Sequence, residues 1–304
     1  MQSDKLVPAS EIELETGFGK DLLRKWRQRY GFPHLETGTD GKIGYSRKAI
    51  QHLLLIKRLL EGGFRPAQIV GKHPLELERL RLAIVNDLPE PNINRKSRKL
   101  LDLLKKSDLA GLQSLLAKER AKGSLNRFVL NTVLPLINEV GEAWSRNEIE
   151  IYHEHLCTSV IQRLLNAEIL LCKPKRGFPI ILFATPPQEL HALGLLMAEA
   201  VLADQGATTF YLGSHTPLKD IKMAAQSYMA DVVALSFSFA FPSRNVVPTL
   251  KHIRQLLPTK VEVWAGGSGV SSIRRPPKGV HVFSNMQDAV VMLQNLAKQN
   301  NKKQ

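Results

Sequence analysis

Pro179-Ile180-Ile181-Leu182-Phe183-Ala184 is the run on which the fold of this chain turns. On its N-terminal side, from about 97 to 172, apolar residues recur at helical spacing. Val133, Ile137, Val140 and Trp144 form one such stripe, and Gly111 and Gly123 punctuate the shorter helices before it. Four helices there predict a small bundle. On its C-terminal side the period changes. A helix is expected near 188–205, and strand-like runs follow at 209–212, 232–236, 261–264 and 280–283. They alternate with helical segments near 217–228, 243–256 and 286–298. Apolar strands alternating with helices imply a parallel sheet covered on both faces. The expected fold is a doubly wound α/β domain, Rossmann-like and of flavodoxin type. Ligands in such sheets bind outside the carboxyl ends of the strands, at the switch point of the strand order.

Within that domain, Glu189-Leu190-His191-Ala192-Leu193-Gly194 follows the first strand. A histidine there can project into the switch-point crevice as a metal ligand. Glu189 can accept the other ring N–H, which sets the tautomer and makes the imidazole a better donor. Gly194 lets the backbone approach something bulky. A single histidine near a helix start is also a common hydrogen-bonded structural residue, so these six residues alone leave both readings open.

Working outward to the N-terminus, residues 5–72 form a compact basic helical unit. A first helix is expected from Pro8 to the stop at Gly17, and a second from Lys20 to Tyr30 carrying Arg24, Lys25, Arg27 and Arg29 over a buried Leu23 and Trp26. Two short helices about a glycine turn, the second one basic, are the pattern of a helix-turn-helix whose second helix enters the major groove. The stretch from Thr37 to Tyr45 reads as a hairpin wing with Asp40-Gly41 as its turn. The next helix is expected to bury Ile50, Leu53, Leu54, Ile56, Leu59 and Leu60 and to end at Gly62-Gly63. Four cations within six residues could equally be the solvated face of a helix; the turn, wing and following helix argue for DNA. Pro74, Pro89 and Pro91 mark a linker, giving expected boundaries of 1–75 for the winged helix, 76–96 for the linker, 97–175 for the bundle and 176–304 for the α/β domain.

The whole-chain numbers agree. A length of 304 residues allows two or three domains, and a hydrophobic fraction of 43% supports sizeable cores. No run approaches the roughly 18 apolar residues of a membrane span. Met1-Gln2-Ser3-Asp4-Lys5 leads into no apolar signal region, so a cytoplasmic location is expected. Cys157 and Cys172 are the only cysteines, which disfavours a disulfide framework or a thiolate zinc site. The net charge of +14 favours a polyanionic partner.

Leu23-Arg24-Lys25-Trp26-Arg27-Gln28-Arg29-Tyr30-Gly31, the wing ending in Gly44-Tyr45-Ser46, and the helix through Lys57-Arg58-Leu59-Leu60 resemble the MerR-type DNA-binding domain. The resemblance implies DNA contacts by Arg24, Lys25, Arg27 and Arg29 and by the wing residues Lys42 and Tyr45. The long dimerisation helix of short MerR proteins has no counterpart in this reading, so a homo-oligomer would have to assemble elsewhere. After Gly194, 41 residues precede Ser236-Phe237-Ser238, and 27 more precede Gly266-Gly267. That spacing resembles the cobalamin-binding module. There the histidine is the lower ligand of cobalt, the serine helps hold the displaced nucleotide tail, and the double glycine clears its slot. The family usually has Asp at the place of Glu189 and often Ser-x-Leu at the place of Ser236-Phe237-Ser238. Trp144, followed after nine residues by Glu154-His155, is similar to the cap of adenosylcobalamin-dependent photoreceptor repressors of the CarH/LitR type. In that family these residues surround the adenosyl group, and a histidine after the tryptophan becomes the upper ligand after photolysis. This chain has Ser145 there. The resemblance implies a cobalamin-controlled repressor of a double-stranded DNA operator, with adenosylcobalamin as cofactor and no catalysis. Two alternatives stand beside it: a MerR-type regulator working without cobalamin, and a corrinoid carrier for methyl transfer.

Overall fold

A computed structural model describes residues 6–8, 11–38, 41–61, 64–77, 95–146, 148–238, 241–271 and 273–303. The chain divides into two compact units, Met1–Pro91 and Asn92–Gln304. The first four residues of the linker, Glu76 to Arg79, straddle the limit of description, and its proline-rich part lies outside the described residues. So do Asp40 of the expected wing turn and Gly62-Gly63.

In the first unit, β1 (Val7–Pro8), α1 (Ile12–Thr16), α2 (Lys20–Tyr30), β2 (Glu36–Thr37), β3 (Ile43–Tyr45), α3 (Arg47–Glu61) and α4 (Pro66–Ile69) follow one another. Pro8 was expected to open a helix. Instead Val7–Pro8 pairs antiparallel with Tyr45 and Gly44 on the outside of a three-stranded sheet ordered β1-β3-β2. An edge strand tolerates the missing N–H of proline. A side chain at Gly44 would strike the Val7 carbonyl, so glycine is what lets these backbones approach. Gly17 and Gly31 cap α1 and α2 in the left-handed conformation, at φ 73° and 72°. Leu23 and Trp26 face inward, Trp26 lies edge-on to Phe18 at 5.0 Å, and Ile50, Leu53, Ile56 and Leu59 complete the core. Leu54, expected inside, is exposed because it lies off the 50–53–56–59 stripe.

The second unit begins with α5 (Arg95–Lys105) and α6 (Leu109–Arg120). Next comes a long helix: α7 (Leu125–Phe128), one π turn (Val129–Val133) and α8 (Leu134–Ser145). Then α9 runs from Ile151 to Leu171. Leu100, Leu104, Leu112, Leu116, Phe128, Val140, Cys157 and Ile161 share one core. Asp108 and Ser124 cap α6 and α7 by accepting main-chain N–H bonds.

Beyond α9 lies a five-stranded parallel sheet of β4 (Ile180–Ala184), β5 (Thr208–Gly213), β6 (Val232–Ser236), β7 (Glu262–Gly266) and β8 (Val280–Val282), ordered β5-β4-β6-β7-β8. The intervening helices are α10 (Leu193–Gln205), α11 (Leu218–Ser227) and α12 (Ser243–Leu256), and α13 (Met286–Lys303) closes the chain. Strand side chains alternate between two cores, as the pleat requires. Ile181, Phe183, Val232, Ala234 and Trp264 pack with Leu195, Leu202 and Leu293 on one face. Leu182, Ala184, Val233, Leu235, Val263 and Ala265 pack with Ile221, Leu250 and Ile253 on the other. The order reverses between β4 and β6, so the crevice expected for ligands lies where the loops after those two strands part. Helix α10 has a second apolar side: Leu196, Met197, Ala200 and Val201 belong to the helical core of α5–α9. The helix expected near 188–205 starts only at Leu193, which leaves Glu189 and His191 on a loop.

Candidate functional sites

The loop between β4 and α10 is built around one buried carboxylate. Gln188 takes a left-handed backbone at φ 75°, and Glu189 turns inward to 1% exposure. Oxygen Oε1 accepts the His191 main-chain N–H at 2.8 Å and lies 2.9 Å from His191 Nδ1. Oxygen Oε2 accepts from Ser238 twice, from its main-chain N–H at 2.7 Å and its hydroxyl at 2.9 Å. Ser238 Oγ also stands 3.2 Å from His191 Nδ1. The carboxylate therefore ties the loop after β4 to the loop after β6, across the reversal of strand order. Burial alone would raise the Glu189 carboxyl, but the bonds from His191 and Ser238 outweigh it and hold the group below the ordinary carboxylate range. An ionised Glu189 requires the proton on Nδ1. That tautomer leaves the lone pair on Nε2, the arrangement that suits a neutral imidazole for metal coordination. The His191 side chain is 57% exposed, so the ring sits at a surface where a large ligand can reach it.

Two residues around this loop were not anticipated from the sequence. Thr185, fully buried, donates its hydroxyl to the Glu189 carbonyl at 2.6 Å and accepts the His215 N–H at 2.9 Å. His215, at φ 55°, accepts the Gln188 N–H on Nδ1, and its own N–H reaches the Glu189 carbonyl at 3.0 Å. The loops after β4, β5 and β6 are thus one hydrogen-bonded rim. The sequence signal, in hindsight, was polar residues directly after each apolar strand.

Ser236 pairs with Gly266 at the adjoining ends of β6 and β7. A Cβ added at Gly194 would stand 3.8 Å from Ser236 Oγ, and one added at Gly266 would meet nothing within 4 Å. These small residues leave the strand ends uncovered beside His191, which is the space a bulky group bound through that ring requires. Gly267 has another task. At φ 95° it packs so closely on Phe237 that any side chain would overlap the Phe237 carbonyl. Ser238, whose role the sequence left open, belongs to the Glu189–His191 group rather than to the open slot.

On the helical side, Trp144 lies half-buried against the helical core, and its Nε1–H is buried with no hydrogen-bond partner among the described residues. An unpaired buried donor is costly and marks a place for an acceptor. Glu154 accepts the Thr158 hydroxyl at 2.8 Å and lies 2.6 Å from His155 Nδ1. His155 is exposed at the start of α9. His153, a conceivable substitute for the missing histidine at 145, is instead buried: its Nδ1 accepts the Glu150 N–H and its ring stacks on Tyr152 at 4.0 Å. The side chain of Ser145 lies outside the described residues.

On the first unit, Arg24, Lys25 and Arg29 are exposed along α2, with Arg24 beside Asp21 at 3.1 Å and Arg29 over the Tyr30 ring. Lys42 is exposed before β3. Arg27 and Tyr45 sit differently. Tyr45 is 3% exposed, and Arg27 bonds both its hydroxyl at 2.8 Å and the Pro33 carbonyl at 3.1 Å. This pair joins α2 to the hairpin and presents the outer cations.

No helix among the described residues is long and apolar enough to cross a membrane. Residues 8–72 match the family model of the MerR HTH family regulatory protein, and residues 97–167 match that of a B12 binding domain. The HTH-type transcriptional repressor CarH of Myxococcus xanthus is 25% identical over 283 residues, 90% of this chain and 93% of that one. The repressor CarA of the same organism is 25% identical over 257 residues, 84% of each chain. Among solved structures, the monomethylamine corrinoid protein of Methanosarcina barkeri aligns over 65% of this chain and 96% of its own, with 16% identity and a TM-score of 0.47. The chain therefore carries a MerR HTH regulatory domain followed by a B12 binding domain, on a polypeptide similar over nine-tenths of its length to the repressor CarH.

Proposed function

We propose that this chain is a transcription repressor that binds double-stranded DNA through its N-terminal unit and is controlled by cobalamin held through His191. The observation that carries the cofactor half is the buried Glu189, which sets the His191 tautomer and is itself held by Ser238. Cobalamin, once bound, would supply a cobalt centre able to accept an imidazole nitrogen, and His191 Nε2 would be that donor. Gly194, Ser236 and Gly266 would leave room for the nucleotide tail, and Glu189 would keep the proton on His191 Nδ1. Trp144, with Glu154 and His155, would cover the bound group, and the unpaired indole N–H suits an adenosyl group rich in acceptors. The four helices of 95–171 then act as the cap and the β2–β3 hairpin as the wing.

On DNA, Arg24, Lys25 and Arg29 of α2 and Lys42 beside the hairpin engage the duplex, while Arg27 and Tyr45 brace them. One such head makes few contacts, so operator recognition calls for a homo-oligomer that presents paired heads. A cofactor changes that assembly only by its differential affinity for the two states. The reading assigns no catalytic step and a cytoplasmic site of action. With Ser145 where the photoreceptor repressors that the sequence resembles have a histidine, the reading assigns no light-driven end state to this chain.

The test is reconstitution with adenosylcobalamin in darkness, followed by absorption spectrum, size and DNA binding before and after green light. Uptake of cofactor by the wild type and its loss in His191→Ala are expected. A wild-type protein that takes up no cobalamin sinks the cofactor half of the proposal.

A further inference from the structure

The positive charge of this chain does not sit mainly on its DNA-binding head. Residues 1–91 hold 15 Lys and Arg against 12 Asp and Glu, a net +3, whereas residues 92–304 hold 27 against 16, a net +11. Within the second unit several cations of the helical part hold ion pairs: Lys96 with Glu119 at 2.8 Å, Lys105 with Glu148 at 2.7 Å, Arg120 with Glu168 at 2.8 Å, and Arg146 with Glu148 at 2.6 Å. From 241 to 287, by contrast, seven Lys and Arg meet a single carboxylate, Glu262, which is occupied by the Trp264 indole at 2.8 Å and faces His281 at 3.7 Å.

All but Arg244, which lies in the first turn of α12, gather along one flank. Arg254 caps α12 by donating to the carbonyls of Leu257, Pro258 and Val261, which draws the end of the helix to the start of β7. A Cβ at Gly279 would stand 3.2 Å from Arg254 Cδ, so the start of β8 lies there too. Lys260 and Lys278, the neighbours of Val261 and Gly279, therefore flank the Arg254 side chain, and Lys251 precedes it by three residues on α12. Arg274 and Arg275 lead into the same corner through Pro276-Pro277. Lys251, Lys260, Arg274, Arg275 and Lys278 are all exposed, and among the described residues none of them makes an ion pair. Like charges gathered without counter-charges repel one another, and a polyanion lying across them relieves that repulsion.

We propose that this flank, from Lys251 on α12 through Lys260 to Arg274–Lys278, is a second, sequence-independent contact surface for the phosphate backbone of duplex DNA. The inference rests on the reading of the chain as a DNA-binding protein, since the head supplies the duplex and the flank adds phosphate contacts to the same molecule. Its contribution is electrostatic. Each cation that neutralises a phosphate adds about 0.9 to the slope of log K against log salt. Removing Arg274, Arg275 and Lys278 removes about 2.7 of slope if all three engage. Between 50 and 200 mM salt, wild-type affinity then falls about 40-fold more than that of the variant.

The experiment uses the full chain and a fluorescent 40-base-pair duplex of random sequence, with affinity measured across that salt range. Arg274→Gln/Arg275→Gln/Lys278→Gln should show the shallower slope. Lys251→Gln/Lys260→Gln, on different elements, should lose about 1.8 and gives the same readout should the triple variant fold poorly. Slopes superimposable on the wild type in variants with unaltered unfolding transitions overturn the proposal. So does a change confined to phosphatidylserine vesicles with none on the duplex. Arg24→Ala/Lys25→Ala is measured in parallel. If that pair leaves duplex binding intact while the flank variants weaken it, the reading of the head fails and the flank stands. The converse result overturns the flank alone.

Discussion

Glu189→Gln isolates the feature on which the proposed cofactor site depends. The carboxylate accepts from four donors, two on His191 and two on Ser238, from a side chain that is 1% exposed. A carboxamide has one acceptor oxygen and one NH2. With its oxygen toward Ser238, the NH2 faces the His191 main-chain N–H, which loses its partner. The imidazole must then accept on Nδ1, which puts the proton on Nε2 and removes the lone pair needed for coordination. With its oxygen toward His191, the Ser238 main-chain N–H is orphaned instead. Either way one buried donor goes unpaired, at a cost of about 1–3 kcal/mol to the loop. The loss of a carboxylate partner behind a metal-binding histidine weakens metal affinity about 10- to 100-fold. Titration of the dark protein with cobalamin, followed by absorption, should show that weakening, together with a lower urea midpoint. A variant that binds cobalamin with wild-type affinity would refute the argument that Glu189 prepares His191.

Other consequences are open to measurement. Gly267→Ala drives a methyl group into the Phe237 carbonyl at a left-handed φ of 95° and should cost more than about 2 kcal/mol in urea unfolding, whereas Gly266→Ala, facing open space, should cost less than about 1. Glu199, buried on α10 and accepting from Thr209 at 2.9 Å, has its carboxyl raised by burial more than the Thr209 bond lowers it. Such a raised acid stabilises the fold fully below its unfolded value of about 4.5, and that contribution is lost as pH rises through the folded value. Glu199→Gln should therefore melt above the wild type near pH 8, with the difference shrinking toward pH 4. Its absence would show that Glu199 is not destabilising when ionised. His153→Ala removes the acceptor for the Glu150 N–H and should lower stability by about 1 kcal/mol, with no change in cobalamin affinity; a loss of affinity would assign His153 to the cofactor. Arg24→Ala/Lys25→Ala should weaken duplex binding and flatten its salt slope by about 1.8, and an unchanged slope would remove α2 from the DNA interface.

Much of this fold is legible in the sequence because its signals are local and redundant. The strand at 180–184 is an unbroken apolar run, that at 232–236 is apolar up to its closing Ser236, and their neighbours differ from expectation by one or two residues. Gly17 and Gly31 stop their helices through their own backbone freedom. Legibility fails where the deciding partner is distant. Pro8 is in a strand because Gly44, far along the chain, leaves room for it. Tyr45 is inside because Arg27 reaches across to its hydroxyl. The site divides the same way. Their place after the first strand brought Glu189 and His191 to attention, and the resemblance to the cobalamin-binding module added Ser236 and Gly266. Neither could assign Ser238 to the carboxylate rather than to the slot, or show that Thr185 and His215 complete the rim, because those contacts join three different loops.

Helix α10 has a consequence for how such proteins can be cut and recombined. It gives Leu195 and Leu202 to the sheet and Leu196, Met197, Ala200 and Val201 to the helical core, so it is apolar on two opposed sides. A fragment beginning near residue 173 would leave one of those sides bare and should aggregate. The helical part, expressed without α10, would lack a wall. The two therefore form a single hereditary module, which can acquire a new DNA-binding head at the joint between 77 and 95 but cannot be exchanged piecemeal at the joint between 171 and 180.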